Sequence, residues 1–323
     1  MSDCHDLFIN FHDEIYLPPD QKAQLRTSRN ALRKKIRKYF TETLGFKEPL
    51  FYGQGSYSMN TTVKPIDCEF DIDDGVYLEH LKDEDEENWN TPSKVHDWIM
   101  DAVDGHTSTP PENKLTCVRV IYKNEYHIDL PIYVKKEGEH PKLAHRSKGW
   151  IDSDPKLLTE WFNGEVKDKG DQLKRIVRYL KAWKDFKEGN VKMPSGMFLT
   201  ILASNNFEAN DRDDLALLNT AQGIYDSLND EFTLIRPVFP DEDLFEDWSD
   251  TRRDNFFNKL NDLIQKGTAA INQSKKSEAS KKWIKVFGDR FPEYKDDDTD
   301  LVKNSLVIKS PSPPLLGNHG RSA

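Results

Sequence analysis

The chain has 323 residues, 36% hydrophobic and 32% charged, with a formal net charge of -10 and a mean hydropathy of -0.77. That length accommodates two packed lobes with a sizeable core, and no run approaches the roughly 20 apolar residues of a membrane span. The opening MSDCHDLFINFHDE lacks the basic and apolar regions of a secretion signal, so a cytoplasmic protein is expected. Three cysteines, Cys4, Cys68 and Cys117, have neither disulfide-framework nor zinc spacing. The acidic balance argues against binding duplex nucleic acid, where many Lys and Arg must meet phosphates.

In chain order, Leu25, Leu32, Ile36, Phe40 and Leu44 form one stripe, which predicts a long helix from about Asp20 to Leu44, stopped by Gly45. Strands are predicted over Pro49 to Tyr57, Phe70 to Leu78, Thr116 to Tyr122 and Tyr126 to Tyr133, with Lys123-Asn124-Glu125 joining the last two as a hairpin. Between them, Lys82 to Glu87 reads as an acidic loop, and Lys94 to Val103 as a helix capped by Thr91 or Ser93. From about residue 146 strand signals vanish. Helices are expected over Pro155 to Phe162, Gly170 to Phe186, Ser195 to Asn205, Asp213 to Leu228, Asp250 to Gln273 and Ser277 to Phe287. After Pro292 the Lys, Asp, Ser and Pro content is that of a mobile tail.

The strongest chemical signal is Glu69-Phe70-Asp71-Ile72-Asp73-Asp74-Gly75. On a strand, residues i and i+2 share a face, so Asp71 and Asp73 project together, while Ile72 enters the opposite layer and Asp74 points away. Two like charges side by side disfavour a sheet unless a cation lies between them. Asp129, on the strand His127 to Tyr133, can complete a site of three carboxylates, suited to two Mg2+ ions about 3.5 to 4 Å apart, with Mn2+ as a substitute. Glu69, in phase with Asp71, is a rival ligand.

Just upstream, Gln54-Gly55-Ser56 follows a strand. Glycine there lets backbone N–H groups approach an anion, and Ser56 adds a hydroxyl donor. Gly-Ser alone is an ordinary turn; its short distance from Asp71 raises the value of both.

Gly55-Ser56 followed by Asp71-x-Asp73 and then Asp129 resembles the polymerase-beta-type nucleotidyltransferases. The wording Gln54-Gly55-Ser56-Tyr57, Asp71-Ile72-Asp73-Asp74-Gly75-Val76-Tyr77-Leu78 and His127-Ile128-Asp129-Leu130-Pro131-Ile132-Tyr133 is similar to the bacterial cGAS/DncV-like group. The segments Gln172 to Phe186, Lys192 to Met197 and Lys285 to Pro292 resemble its second lobe. The resemblance implies an α/β (α+β) nucleotidyltransferase core with a mixed sheet at 1–145, an all-helical lobe at 146–295, an active site in the cleft between them and a flexible tail at 296–323. It further implies that Lys181 and Ser195 contact a triphosphate.

The implied activity is joining of nucleoside triphosphates, ATP and GTP or UTP, into a cyclic di- or trinucleotide that activates an effector in anti-phage defence. Template-independent RNA tailing and a non-catalytic scaffold of the same fold are the alternatives. In some relatives an E1/E2-like partner joins the C-terminal tail to other molecules, which makes Ala323 a candidate conjugation end. Tyr57, Tyr133 and Trp150 offer stacking surfaces, but nothing in their spacing identifies a base-reading pair.

Overall fold

A computed structural model describes residues 1–66, 70–123, 126–189 and 191–296. Cys68, Glu69, Asn124, Glu125 and the tail from 297 to Ala323, with its conjugation end, lie outside the described residues.

Two helices precede the sheet. The sequence reading starts its first helix at Asp20, but an earlier one, α1 (His5–Ile15), forms because Leu7, Phe8, Phe11 and Ile15 repeat at helical spacing and are all buried. The long helix α2 (Pro19–Lys38) starts on a proline, which has no N–H to leave unpaired at that position. It buries Leu25, Leu32 and Ile36, and runs into a π-helical turn at Tyr39–Thr43. Gly45, with φ near +70°, ends it where expected.

The sheet contains β1 (Leu50–Gln54), β2 (Phe70–Tyr77), β3 (Glu112–Asn113), β4 (Cys117–Tyr122), β5 (Tyr126–Val134), β6 (Lys142–His145) and β7 (Gly149–Asp152). Its order is β1-β2-β5-β4-β3, with β6 on β5 and β7 on β6. Only β2 and β5 run parallel among the described strands, so the sheet is mixed as predicted. β5 is buried along nearly its whole length, as a strand flanked by others and covered on its faces must be. Its ladder with β2 breaks opposite Asp74 and Gly75, where Pro131 has no N–H to give.

Three local expectations are corrected. The first strand stops at Gln54, and Gly55–Ser58 forms a one-turn helix, α3, because Gly55 takes φ near +65° and turns the chain out of the sheet. Strands do not vanish at residue 146: β7 pairs with β6 after a turn in which Gly149 has φ near +85°. The helix from Pro155, α5 (Pro155–Lys169), runs beyond Phe162 to Gly170; Asp154 caps its start by accepting from the Leu157 N–H at 3.2 Å. Of the two candidate caps on α4 (Pro92–Val103), Thr91 is the one that accepts from Lys94.

The remaining helices, α6 (Gln172–Lys187), α7 (Gly196–Asn205), α8 (Asp213–Asp230), α9 (Asp250–Ile271) and α10 (Lys276–Phe287), form the second lobe. Its core joins Phe8 and Phe11 of α1 to Tyr179, Trp183, Trp283, Phe287 and Phe291, so the first helix of the chain packs among the helices rather than on the sheet. The other core lies between the sheet, α2 and α4, and takes in Ile72, Ile128, Phe40 and Ile99.

Asp74 points into that sheet-side layer and is fully buried, where Arg33 of α2 grips both carboxylate oxygens, the Nε contact being 2.7 Å. Removing one partner of such a pair strands a buried charge. Asp74→Ala is therefore expected to lower unfolding free energy in urea by about 3–5 kcal/mol; a loss under about 1 kcal/mol would show that the pair does not anchor α2.

Candidate active site

Strand register assembles the polar centre. Gln54 of β1, Asp73 of β2, Asp129 of β5, Arg119 of β4 and Glu112 of β3 are partners in one row across five strands. Residues in one row of a sheet share a face, so residues far apart in sequence become neighbours. Asp71 stands one in-phase step from Asp73, exposed, in register with His127.

The electrostatics follow from that crowding. Burial, then the charges of Asp71 and Asp129, push the Asp73 carboxyl up to about 8, with Arg119 opposing them. Asp129 is held by Arg119 through two parallel bonds of 2.8 Å, Nε to Oδ1 and Nη2 to Oδ2, the bidentate geometry of a strong charge-assisted pair. Asp71 and Asp73 line a cleft of about 430 Å³, whereas Asp129 is outside its lining, turned to Arg119. Among the described residues no three Asp, Glu, His or Cys side chains are already gathered as a metal cage. The two cleft carboxylates do fit a hard cation: they are oxygen donors, and burial together with their mutual repulsion holds a proton on Asp73 that an arriving positive charge would displace.

The Gly55-Ser56 turn meets this pair directly. A Cβ on Gly55 would lie 2.2 Å from Asp73 Oδ2, so glycine is required there by its approach to the carboxylate as well as by its positive φ. Ser56 Oγ is 3.1 Å from Thr62 Oγ1, and the Ser56 carbonyl accepts from the Thr61 N–H at 2.8 Å.

Lys181 of α6 comes from the other lobe. It is buried rather than at the edge of its helix, and its Nζ donates to Thr61 Oγ1 at 2.8 Å. Burial lowers its pKa to about 7, against the attraction of Asp71. Gly196 lets it pass: a Cβ there would touch Lys181 Cε at 3.2 Å. Ser195 is the N-cap of α7, accepting from the Phe198 N–H at 3.3 Å; the next residue, Gly196, lines the cleft in its place.

The cleft therefore gathers Gln54, Gly55, Ser56, Asp71, Asp73 and Lys181 and leaves Asp129 and Ser195 at its margins. It also takes in Thr61, Asp185 and Arg236, which sequence reasoning missed. Thr61 and Arg236 sit in irregular segments, where no periodicity marks a direction for the side chain.

Because Asp73 keeps its proton in the folded protein to about pH 8 but loses it near 3.8 when unfolded, folding weakens as pH rises between those values. In metal-free buffer, Asp73→Asn is expected to melt higher than the parent, with the gap widening from about pH 5 to about pH 8. A constant gap in thermal melts would show that Asp73 is not under this strain.

Comparison with known proteins places the arrangement. Residues 49–133 match the family model for the cyclic GMP-AMP synthase DncV-like nucleotidyltransferase domain, and residues 170–298 that for the cyclic GMP-AMP synthase C-terminal domain. The chain is 35% identical over 201 residues to a cyclic GMP-AMP synthase of Escherichia albertii, a match covering 58% of this chain and 44% of that protein. It therefore spans less than half the length of that relative. A cyclic AMP-AMP-AMP synthase of an Acinetobacter strain is 25% identical over 286 residues, covering 82% of each chain. The crystal structure of Vibrio cholerae DncV cyclic AMP-GMP synthase, a prokaryotic cGAS homolog, shares the fold at a TM-score of 0.76 and 23% identity, over 90% of this chain and 98% of that one. With both domain models matched in order along one chain of that fold, the chain belongs to the DncV-like nucleotidyltransferases.

Proposed function

We propose that this chain is a cyclic oligonucleotide synthase that joins nucleoside triphosphates, ATP with GTP or UTP, into a cyclic di- or trinucleotide for a downstream effector. The observation that carries the reading is the meeting of Asp71 and Asp73 of β2, the Gly55-Ser56 turn and Lys181 of α6 in one cleft. The relatives' names, cyclic GMP-AMP and cyclic AMP-AMP-AMP synthases, support a cyclic product and leave its size open.

In this reading the cleft binds a triphosphate between lobes. The Gly55 and Ser56 N–H groups and the Ser56 hydroxyl donate to phosphate oxygens, as a helix start is suited to do. Lys181, whose pKa burial lowers to about 7, is drawn to its charged form by the arriving phosphates and holds them as a cation. Ser195 accepts one N–H as a cap and keeps its hydroxyl hydrogen to donate to the same phosphates.

A ribose hydroxyl of the acceptor then attacks the α-phosphorus; the new P–O bond forms, the bond to pyrophosphate breaks, and the hydroxyl proton is released. Asp71 and Asp73, joined by Asp129 when its pair with Arg119 opens, would hold two Mg2+ ions, which supply hydroxyl activation and neutralisation of the leaving pyrophosphate. Repetition on the linear product closes the ring.

The test is incubation of the full chain with each labelled nucleoside triphosphate and Mg2+ or Mn2+, followed by phosphatase treatment and mass spectrometry. A phosphatase-resistant cyclic product is expected from the parent, and at least about a thousandfold less from a folded Asp71→Ala, Asp73→Ala double variant. Undiminished product from that variant would remove the assigned centre. Lengthened RNA in place of a small cyclic product would move the chain to the tailing enzymes.

A further inference from the structure

Arg236 lies between α8 and α9 and lines the same cleft from the helical lobe. It is only 9% exposed. Its Nη1 donates to Glu242 Oε1 at 2.8 Å and its backbone N–H to the Glu242 carbonyl at 2.9 Å, which fixes the guanidinium plane. Its Nε is buried with no hydrogen-bond partner among the described residues. A buried donor without an acceptor has lost water and gained nothing; among the described residues with such an atom, Arg236 and Gln54 are the ones that line the cleft. Gln54, in the same cleft and also 9% exposed, donates from Nε2 to the Tyr133 hydroxyl at 3.1 Å and has its Oε1 in the same unpartnered condition.

Where Arg236 stands along the cleft narrows what it can bind. Lys181 serves the Asp71 end of β2, since the charges of these two act on each other. Gly75, four residues on and so about 13 Å away, abuts Gln54 and Tyr133: a Cβ there would lie 2.9 Å from Gln54 Oε1 and 3.2 Å from the Tyr133 ring. Arg236 belongs to this second end: Phe239 of its loop stacks on His140 at 4.0 Å, His140 is 3.1 Å from Asp154 just before Pro155 of the cleft wall, and the Arg236 charge is felt at the Tyr133 hydroxyl. Pro155 and Leu158 add apolar wall to the cleft. A nucleotide with its phosphates at the Gly55-Ser56 turn and Lys181 puts its base, not a phosphate, toward Arg236.

With Nη1 taken by Glu242, the edge of the fork that has no partner among the described residues is Nε with Nη2. Two donors side by side match two acceptors side by side. Guanine presents O6 and N7 in that arrangement, whereas adenine pairs the N7 acceptor with an N6 donor. We propose that Arg236 is a specificity-determining residue that binds O6 and N7 of a guanine base through Nε and Nη2, an inference that rests on the nucleotide-joining function above.

Isothermal titration of the full chain, with Ca2+ in place of Mg2+ to suppress turnover, tests it with GTP, ITP, 7-deaza-GTP and ATP against the parent, Arg236→Lys and Arg236→Gln. ITP keeps O6 and N7, and 7-deaza-GTP lacks the N7 acceptor. For the parent, GTP and ITP are expected to bind within about twofold of each other, and 7-deaza-GTP and ATP about tenfold more weakly. Arg236→Lys keeps the charge without the fork and should bring GTP to the ATP level while ATP changes less than about threefold. A guanine preference that survives in both variants, or an equal loss for all four nucleotides, overturns the proposal. A parent that binds all four equally overturns it alone; a parent that binds none overturns the nucleotide-joining reading beneath it.

Discussion

Two carboxylates on one strand face repel, and burying one of them makes the repulsion stronger because little solvent is left to screen it. Asp71 and Asp73 stand in that relation. The rest of the site is arranged around them: Gly55 has no side chain because Asp73 occupies its space, Arg119 supplies the countercharge for Asp129, and Lys181 is drawn toward Asp71 from the other lobe. A folded protein that keeps such a cluster gives up stability there, which is the usual relation between a functional site and its scaffold.

The scaffold keeps that cluster in place by treating the neighbouring acid differently. Asp74 differs from Asp73 by one residue, yet strand alternation sends it to the opposite face, where Arg33 closes on it and fastens α2 to the sheet. One dipeptide, Asp73-Asp74, thus carries a cleft carboxylate and a structural one, separated only by the phase of a strand. On the site side, the link from Lys181 to Thr61, and from Thr61 to the Ser56 carbonyl, couples the helical lobe to the Gly55-Ser56 turn. A charge arriving between the lobes therefore acts on both.

Arg119 bears on the third carboxylate. Its pair with Asp129 explains why that residue, although in the same row as Asp73, contributes nothing to the cleft lining. The arginine keeps a third negative group from being left bare beside the other two.

How much of this was legible from the residues depends on whether a periodicity carried it. The mixed sheet, the hairpin from β4 to β5, the common face of Asp71 and Asp73, the burial of Ile72 and the opposite phase of Asp74 follow from alternation, which is local and needs no knowledge of the fold. The helices of the second lobe follow in the same way, within a few residues at their ends. The short strands β6 and β7 escaped because four residues carry too little pattern, and they exist only through pairing with β5 and each other. Helix α1 has the right pattern, but its partners Tyr179, Phe287 and Phe291 lie far along the chain.

By itself, then, the sequence determined which residues carry charge on which face of which strand, since that is a property of backbone geometry over a few residues. Only the tertiary structure decided that Asp129 faces Arg119, that Lys181 is buried against Thr61, that Ser195 caps a helix beside the cleft, and that Arg236 enters it from a loop. Each of those is a contact between segments distant in the chain. Such contacts are selected by packing and electrostatics of the whole molecule, and no local pattern encodes them.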